Sequence, residues 1–211
     1  MRAGWDFWWR WVVASALGPA AGWGVASTLY VLLGLTEELV TSAPARIALF
    51  ATDGVALGVG LGSAQLLVLR RRLDRSSGWV WAITLSYGIG FAMTGVLEQS
   101  FSEAIGAFTG YALTALMGGV VPWLLVLRRR VSRSGWWVAA SGLGFYTGVF
   151  AAVGAAPLVA SALGMAKPGN LGQSSAGVAY AVIIAAVIGL VLGFATATAL
   201  VVLLRRRVTQ S

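Results

Sequence analysis

Groups able to carry chemistry are scarce in this chain. It holds 7 Asp and Glu against 15 Lys and Arg, with no His and no Cys. One acid, Asp53, stands inside an apolar run that extends from Ile47 to Leu69. It lies 7 residues past Arg46, a depth of about 10 Å at 1.5 Å per residue. A carboxylate there could take up a proton or a cation, or pair with a partner subunit. The plainer expectation is that Asp53 reaches water at the nearer membrane face or pairs with Arg46. Glu98 and Glu103 bracket a short turn, and Glu37 and Glu38 lie in an earlier loop. With Asp53 these make 5 acids on a side that has only Arg46 and Lys167 as bases. Such a face attracts cations diffusely, although acids also collect wherever arginines are excluded.

Gln65 falls on the same helical stripe as Gly54, Gly58 and Gly62 at 100° per residue. It is expected to hydrogen-bond a neighbouring helix rather than face lipid, with a ligand contact as the alternative. Tyr87, Tyr111 and Tyr146 fall mid-span, where each hydroxyl needs a partner. They predict a buried polar layer among the third to fifth spans.

Many reaction classes lack their groups. Without Cys there is no disulfide, thiolate nucleophile, iron–sulfur cluster or Cys-based zinc site. Without His the commonest general base, the usual haem ligand and any Ser-His-Asp triad are missing. No glycine-rich loop ending in Gly-Lys-Ser/Thr and no His-Glu-x-x-His occurs. Lys167 lies in a loop, where it cannot serve as the buried Schiff-base lysine of a retinal protein. A membrane aspartyl protease would need two apposed acids, and Asp53 alone is deep. Three two-helix repeats also suggest a mitochondrial carrier, but the Pro-x-Asp/Glu-x-x-Lys/Arg signature is absent. The expectation is a protein that is not an enzyme and uses no cofactor or metal.

The elements that hold these residues follow from composition. The chain is 58% hydrophobic and 10% charged, with mean hydropathy +0.83. Soluble domains carry about 25% charged residues, so too few charges exist here to coat a water-facing surface. A crossing needs about 20 apolar residues, and six segments qualify: about 11–33, 47–69, 79–97, 103–127, 136–157 (or tilted to 163) and 176–204. Pro19, with Gly18 and Gly22, is expected to bend the first. The fold class predicted is all-α, a six-helix transmembrane bundle in a single integral domain, 1–211. Small residues four apart recur at Gly18/Gly22, Gly54/Gly58/Gly62, Gly106/Gly110, Gly144/Gly148 and Gly189/Gly193. In lipid such stripes let helix backbones approach closely.

Charge orients the bundle. The runs Arg70, Arg71, Arg72, then Arg128, Arg129, Arg130, then Arg205, Arg206, Arg207 close the second, fourth and sixth spans. With Arg2, Arg10, Arg75 and Arg133 they put 13 of the 15 basic residues on one side. By the positive-inside rule that side is cytoplasmic and holds both termini, as in a bacterial inner membrane. These arginines are topology anchors that also attract anionic lipid headgroups. They do not form a nucleic-acid surface. Tryptophans at Trp5–Trp11, Trp79, Trp81, Trp123, Trp136 and Trp137 are expected to form an aromatic belt at the same interface. A platform for a pigment or quinone is the sharper alternative. No small-residue cleavage site stands out after MRAGWDFWWRW, so the first span is expected to be retained.

The joint LLVLRRRLDRSSGWVW at 66–81 recurs as LLVLRRRVSRSGWWV at 124–138, and its first half as VVLLRRRVTQS at 201–211. RWVVAS at 10–15 echoes WWVAAS at 136–141. Tandem repeats running in one direction are related by an axis along the membrane normal. Three hairpins, about 5–72, 77–130 and 134–207, are therefore expected in a pseudo-threefold arrangement. GLGSAQLLVLRRRL at 60–73 and SGWWVAASGLGFYTG at 134–148 resemble a Gly/Trp-rich bacterial multi-pass membrane family. Its signature is Gly-x-x-Gln-x-Leu-Val-Leu-Arg-Arg followed by Gly-Trp-Trp-Val. Gln65 keeps the glutamine, while Trp123 and Leu200 stand at the matching places in the other two runs. The resemblance implies this topology and no particular reaction. The function expected is that of a scaffold or accessory subunit, packing against protein partners, lipids or pigments or forming a homo-oligomer. The alternative is a small cation- or proton-coupled transporter or channel using Asp53 and the acidic face.

Overall fold

A computed structural model describes residues 2–34, 42–71, 78–128, 134–165 and 174–208. Glu37, Glu38, Arg72, Asp74, Arg75, Arg129, Arg130, Arg133 and Lys167 lie outside the described residues. Among those described there is no strand. The helices are α1 Arg2–Leu33, α2 Ala43–Leu69, α3 Gly78–Ser100, α4 Glu103–Pro122, α5 Trp136–Ala162 and α6 Ser175–Val208. All six are long and apolar enough to cross a membrane. The chain is a multi-pass integral membrane protein whose outer surface meets lipid.

Local chemistry explains the helix limits. Ser42 is extended ahead of α2, and Pro44 sits in its first turn, where a missing N–H costs nothing. Ser102 is likewise extended ahead of α4. The helix α1 starts well before the expected first span, at Arg2. A helix has no reason to stop at a membrane interface, and the aromatic lead is held by ring stacking of Trp8 on Trp5 and Trp9, at 5.1 and 5.7 Å.

Prolines lie inside three helices, at Pro19, Pro122 and Pro157, and the first two mark a close contact and a change of winding. At Pro19 α1 runs on, but proline supplies no N–H to the Ser15 carbonyl. That carbonyl lies against Gly189 of α6, so close that any Cβ at 189 would collide with it. At Pro122 the winding changes. Residues Trp123–Leu127 form a π-helical turn, in which the Arg128 N–H donates to the Trp123 carbonyl at 2.8 Å. A proline in the preceding turn favours this wider winding, because one i→i−4 bond is already lost.

The helices form a ring. Each packs on its neighbours in the chain, and α6 closes the ring against α1. Small residues set the joints. Cβ atoms added at Gly18 and Gly60 would each strike the other's carbonyl, so α1 and α2 touch backbone to backbone. Gly54 and Gly58 face Tyr87 and Thr84 of α3, Gly144 and Gly148 face α6, and Gly189 and Gly193 face α1. In the α3–α4 hairpin the contact is reciprocal: Gly90 lies against Thr114 and Gly110 against Thr94. Both hydroxyls donate back to those glycine carbonyls, at 3.1 and 2.9 Å, so no polar atom is stranded in the joint.

At the arginine-rich end the ring is filled. Trp11 of α1, Trp79 of α3 and Trp137 of α5 are fully buried. Their ring centroids stand 5.9, 6.1 and 5.3 Å apart, all edge to face. This corrects the expected aromatic belt. Trp5, Trp9, Trp81 and Trp136 are exposed, as a belt requires, whereas these three join the alternate helices across the bundle. Burial of the indole faces, reinforced by edge-to-face contact, outweighs an interfacial position.

Candidate functional site

The polar groups beside the tryptophans are spent on joining helices. Gln65 is 1% exposed. Its Nε2 donates to Ser15 Oγ on α1 at 2.9 Å, and its Oε1 accepts from Trp79 Nε1 on α3 at 3.1 Å. One side chain thus ties α1, α2 and α3, as its place on the glycine stripe predicts. Trp11 Nε1 donates to Thr196 Oγ1 of α6 at 2.9 Å, and that hydroxyl donates on to the Leu192 carbonyl at 2.7 Å. Trp123, at the place that matches Gln65, donates to Ser134 Oγ at 2.9 Å. Leu200, at the third matching place, is buried without polar function.

Asp53 sits toward the opposite end and is half-buried. Among the described residues the group that hydrogen-bonds it is the Tyr30 hydroxyl, which donates to Oδ1 at 3.0 Å. Side chains on a helix tilt toward its N-terminus. On antiparallel α1 and α2 this aims Tyr30 and Asp53 at each other. Tyr111 of α4 lies within electrostatic reach of Asp53 and of Glu98 of α3, so four helices bring anionic or hydroxyl groups to this end. Glu98 is half-buried near the end of α3, and Glu103 opens α4.

The three mid-span tyrosines do not share one polar layer. Tyr87 is buried edge to face against Phe145 at 5.3 Å. Tyr111 meets Phe91 at 6.1 Å. Tyr146 lies between Phe108 and Phe150 at 5.4 and 5.0 Å, and its buried hydroxyl has no partner among the described residues. No hydrogen bond joins the three. Spacing placed them at similar depth but not at one azimuth, and tyrosine's ring gains enough from aromatic contact to decide its direction. Of the arginine runs, Arg70, Arg71 and Arg128 are exposed, and the backbone of Arg205, Arg206 and Arg207 continues α6.

Tyr30, Ser15, Thr196 and the buried role of Trp11, Trp79 and Trp137 were not foreseen from sequence. A signal for the last was present. Trp11, Ser15, Gly18 and Gly22 have the spacing 4, 3, 4, and so do Trp137, Ser141, Gly144 and Gly148. At 100° per residue each set stays within about 60°, so the tryptophan shares the glycine-lined face. A matching signal links Gly54, Gly58, Leu61 and Gln65 to Gly189, Gly193, Thr196 and Leu200.

The chain matches no family model, no curated protein and no solved structure. The functional reading therefore stands on these residues alone. Their chemistry is that of helix cross-linking at the arginine-rich end and of one tyrosine-bound carboxylate at the other. Among the described residues no group of three or more acids could hold a metal ion.

Proposed function

We propose that this chain is a non-catalytic integral membrane protein, a scaffold or accessory subunit that works through its packed surface. The observation that carries this reading is the three-tryptophan contact at the arginine-rich end. It fills that end of the bundle with packed indole rings, and the neighbouring hydrogen bonds hold helices to one another. The reading includes a cytoplasmic placement of the arginine-rich end in a bacterial inner membrane, held there by anionic lipids. It also includes descent from three tandem hairpins. The Trp-Ser-Gly-Gly pattern shared by α1 and α5 and the paired glycines shared by α2 and α6 support that duplication, while α4 departs from it at Leu116, Gly119 and Trp123. The test is reconstitution of the purified chain into liposomes, with extraction from native membranes in mild detergent. The expected result is no proton or monovalent-cation flux above empty liposomes, and a native mass above that of one chain. A monomer that conducts would overturn the proposal.

A second reading is favoured by one observation, the half-buried Asp53 bonded to a neutral hydroxyl rather than to a guanidinium. In it the chain is a cation- or proton-coupled transporter, with Asp53 binding the coupling ion and Tyr30 orienting the carboxylate. Flux abolished by Asp53→Asn and retained in Tyr30→Phe at reduced apparent affinity would establish it over the first. Flux unchanged by Asp53→Asn would remove it.

A further inference from the structure

The two Trp–Ser faces of this protein end differently. On α1, Trp11 donates to Thr196 and Ser15 accepts from Gln65. On α5, Trp137 and Ser141 have the same spacing and are 1% and 3% exposed. Yet Trp137 Nε1 and Ser141 Oγ have no partner among the described residues. The cause is legible in the neighbours. Where α2 has Gln65, α4 has Trp123 and α6 has Leu200, and where α6 has Thr196, α4 has Gly119. None of these three replacements offers a side-chain acceptor.

Two more groups lie at that level. Gly119 packs on Val138, and Gly142 approaches the Ala115 carbonyl, a register that sets Gly118 beside the turn from Trp137 to Ser141. Pro122 has no N–H for the Gly118 carbonyl, so this acceptor lacks its usual helical donor. The hydroxyl of buried Tyr87 comes to Gly118 as well, 3.4 Å from where its Cβ would be. The two unpartnered groups of α5 therefore lie at the same level of the bundle as the Gly118 carbonyl of α4 and the Tyr87 hydroxyl of α3. Buried polar groups of this kind are met by protein or by ordered water, and a buried water makes about three such bonds.

We propose that this cluster is a water-binding site in the protein interior, with Trp137 Nε1 as donor and Ser141 Oγ as its second ligand. The Gly118 carbonyl and the Tyr87 hydroxyl complete the shell. Water here does for α3, α4 and α5 what Gln65 does for α1, α2 and α3.

The experiment is ¹H–¹⁵N spectroscopy of the indole groups in the full chain, held in lipid nanodiscs. Trp11→Phe, Trp79→Phe and Trp137→Phe assign the resonances. If Trp137→Phe does not fold, its signal is reached by elimination using the other tryptophans. The expected result is a through-space cross-peak from Trp137 Nε1–H to long-lived water, absent for Trp11 and Trp79. Ser141→Ala is expected to weaken that cross-peak and shift the resonance. No cross-peak at Trp137 would overturn the proposal. So would a cross-peak unaltered by Ser141→Ala, because Ser141 would then be bonding its own helix at the Trp137 carbonyl.

Discussion

Gln65 shows how much a single polar side chain can do where water is absent. Its two bonds satisfy Ser15 and Trp79 on different helices. Interhelical hydrogen bonds in membranes average about 0.6 kcal/mol and reach about 1.7. Gln65→Leu keeps the volume, removes both bonds and leaves a buried indole N–H alone. It is expected to lower unfolding free energy in mixed micelles by about 1–3 kcal/mol, and an unchanged midpoint would show that the bonds do not form in lipid. Asp53 and Tyr30 call for a different measurement. Unfolding of Asp53→Asn, Tyr30→Phe and the double variant forms a cycle with an expected coupling of about 1 kcal/mol. Strict additivity would mean that the carboxylate prefers water. Legibility was uneven at this scale. Gln65 could be read because its glycine neighbours marked the buried face, and Asp53 because a carboxylate in an apolar run is conspicuous. Tyr30 could not, because its pairing with Asp53 depends on the α1–α2 register, which Gly18 and Gly60 set through backbone contact. Trp79 and Trp81 lie two residues apart, about 200° around a helix. Composition treats them alike, while burial separates them fully.

The helices themselves were plain in the sequence. Each apolar run ends where charge or a turn residue would have to enter hydrocarbon, and that cost sets most helix ends within a few residues, although α1 begins at Arg2 and α6 runs on through its arginines. The joints between helices depend on finer detail, namely which glycine faces which backbone. Gly60 and Gly154 make the contrast testable. A methyl group at Gly60 meets the Gly18 carbonyl and the next turn of α1, so the helices must part. Gly60→Ala is expected to destabilise by about 1–3 kcal/mol, the range for overpacking. Gly154 is exposed, and nothing lies within 4 Å of an added Cβ. Gly154→Ala should be neutral or slightly stabilising, since alanine is the better helix former by up to about 1 kcal/mol in water. Equal effects at the two positions, read from thermal unfolding in one detergent, would remove the claim that backbone contact holds α1 to α2. The π-helical turn after Pro122 was beyond sequence reading for the same reason. A proline announces a lost bond, and the packing of Trp123 and Leu127 decides how the chain recovers.

At the scale of the whole molecule, the ring and the charge asymmetry constrain each other. Six antiparallel helices bring the start of α1 and the end of α6 to one end of the bundle, which also carries the exposed Arg10, Arg70, Arg71 and Arg128. Carrying those guanidinium groups across would cost about 2.5–3.5 kcal/mol each at the membrane centre on insertion scales. The barrier to turning the assembled bundle over is therefore far higher than the cost of losing any one contact described above. The chain has no cysteine, so single introduced thiols report position without a modified background. Ser42, just before α2, and Gly135, just before α5, are both exposed at opposite ends of the bundle. An added Cβ at Gly135 meets nothing within 4 Å, which makes a folded variant the expected outcome. In intact bacterial cells whose outer membrane has been made permeable, a membrane-impermeant maleimide should label Ser42→Cys and spare Gly135→Cys. Lysis should then expose the second. The opposite pattern would place the arginine-rich face outside, and it would remove anionic cytoplasmic lipid as the partner of the arginines. Labelling of both in intact cells would mean two orientations. The charge difference would then be too weak to choose between them, and a scaffold with one partner-facing side could not be built from this chain.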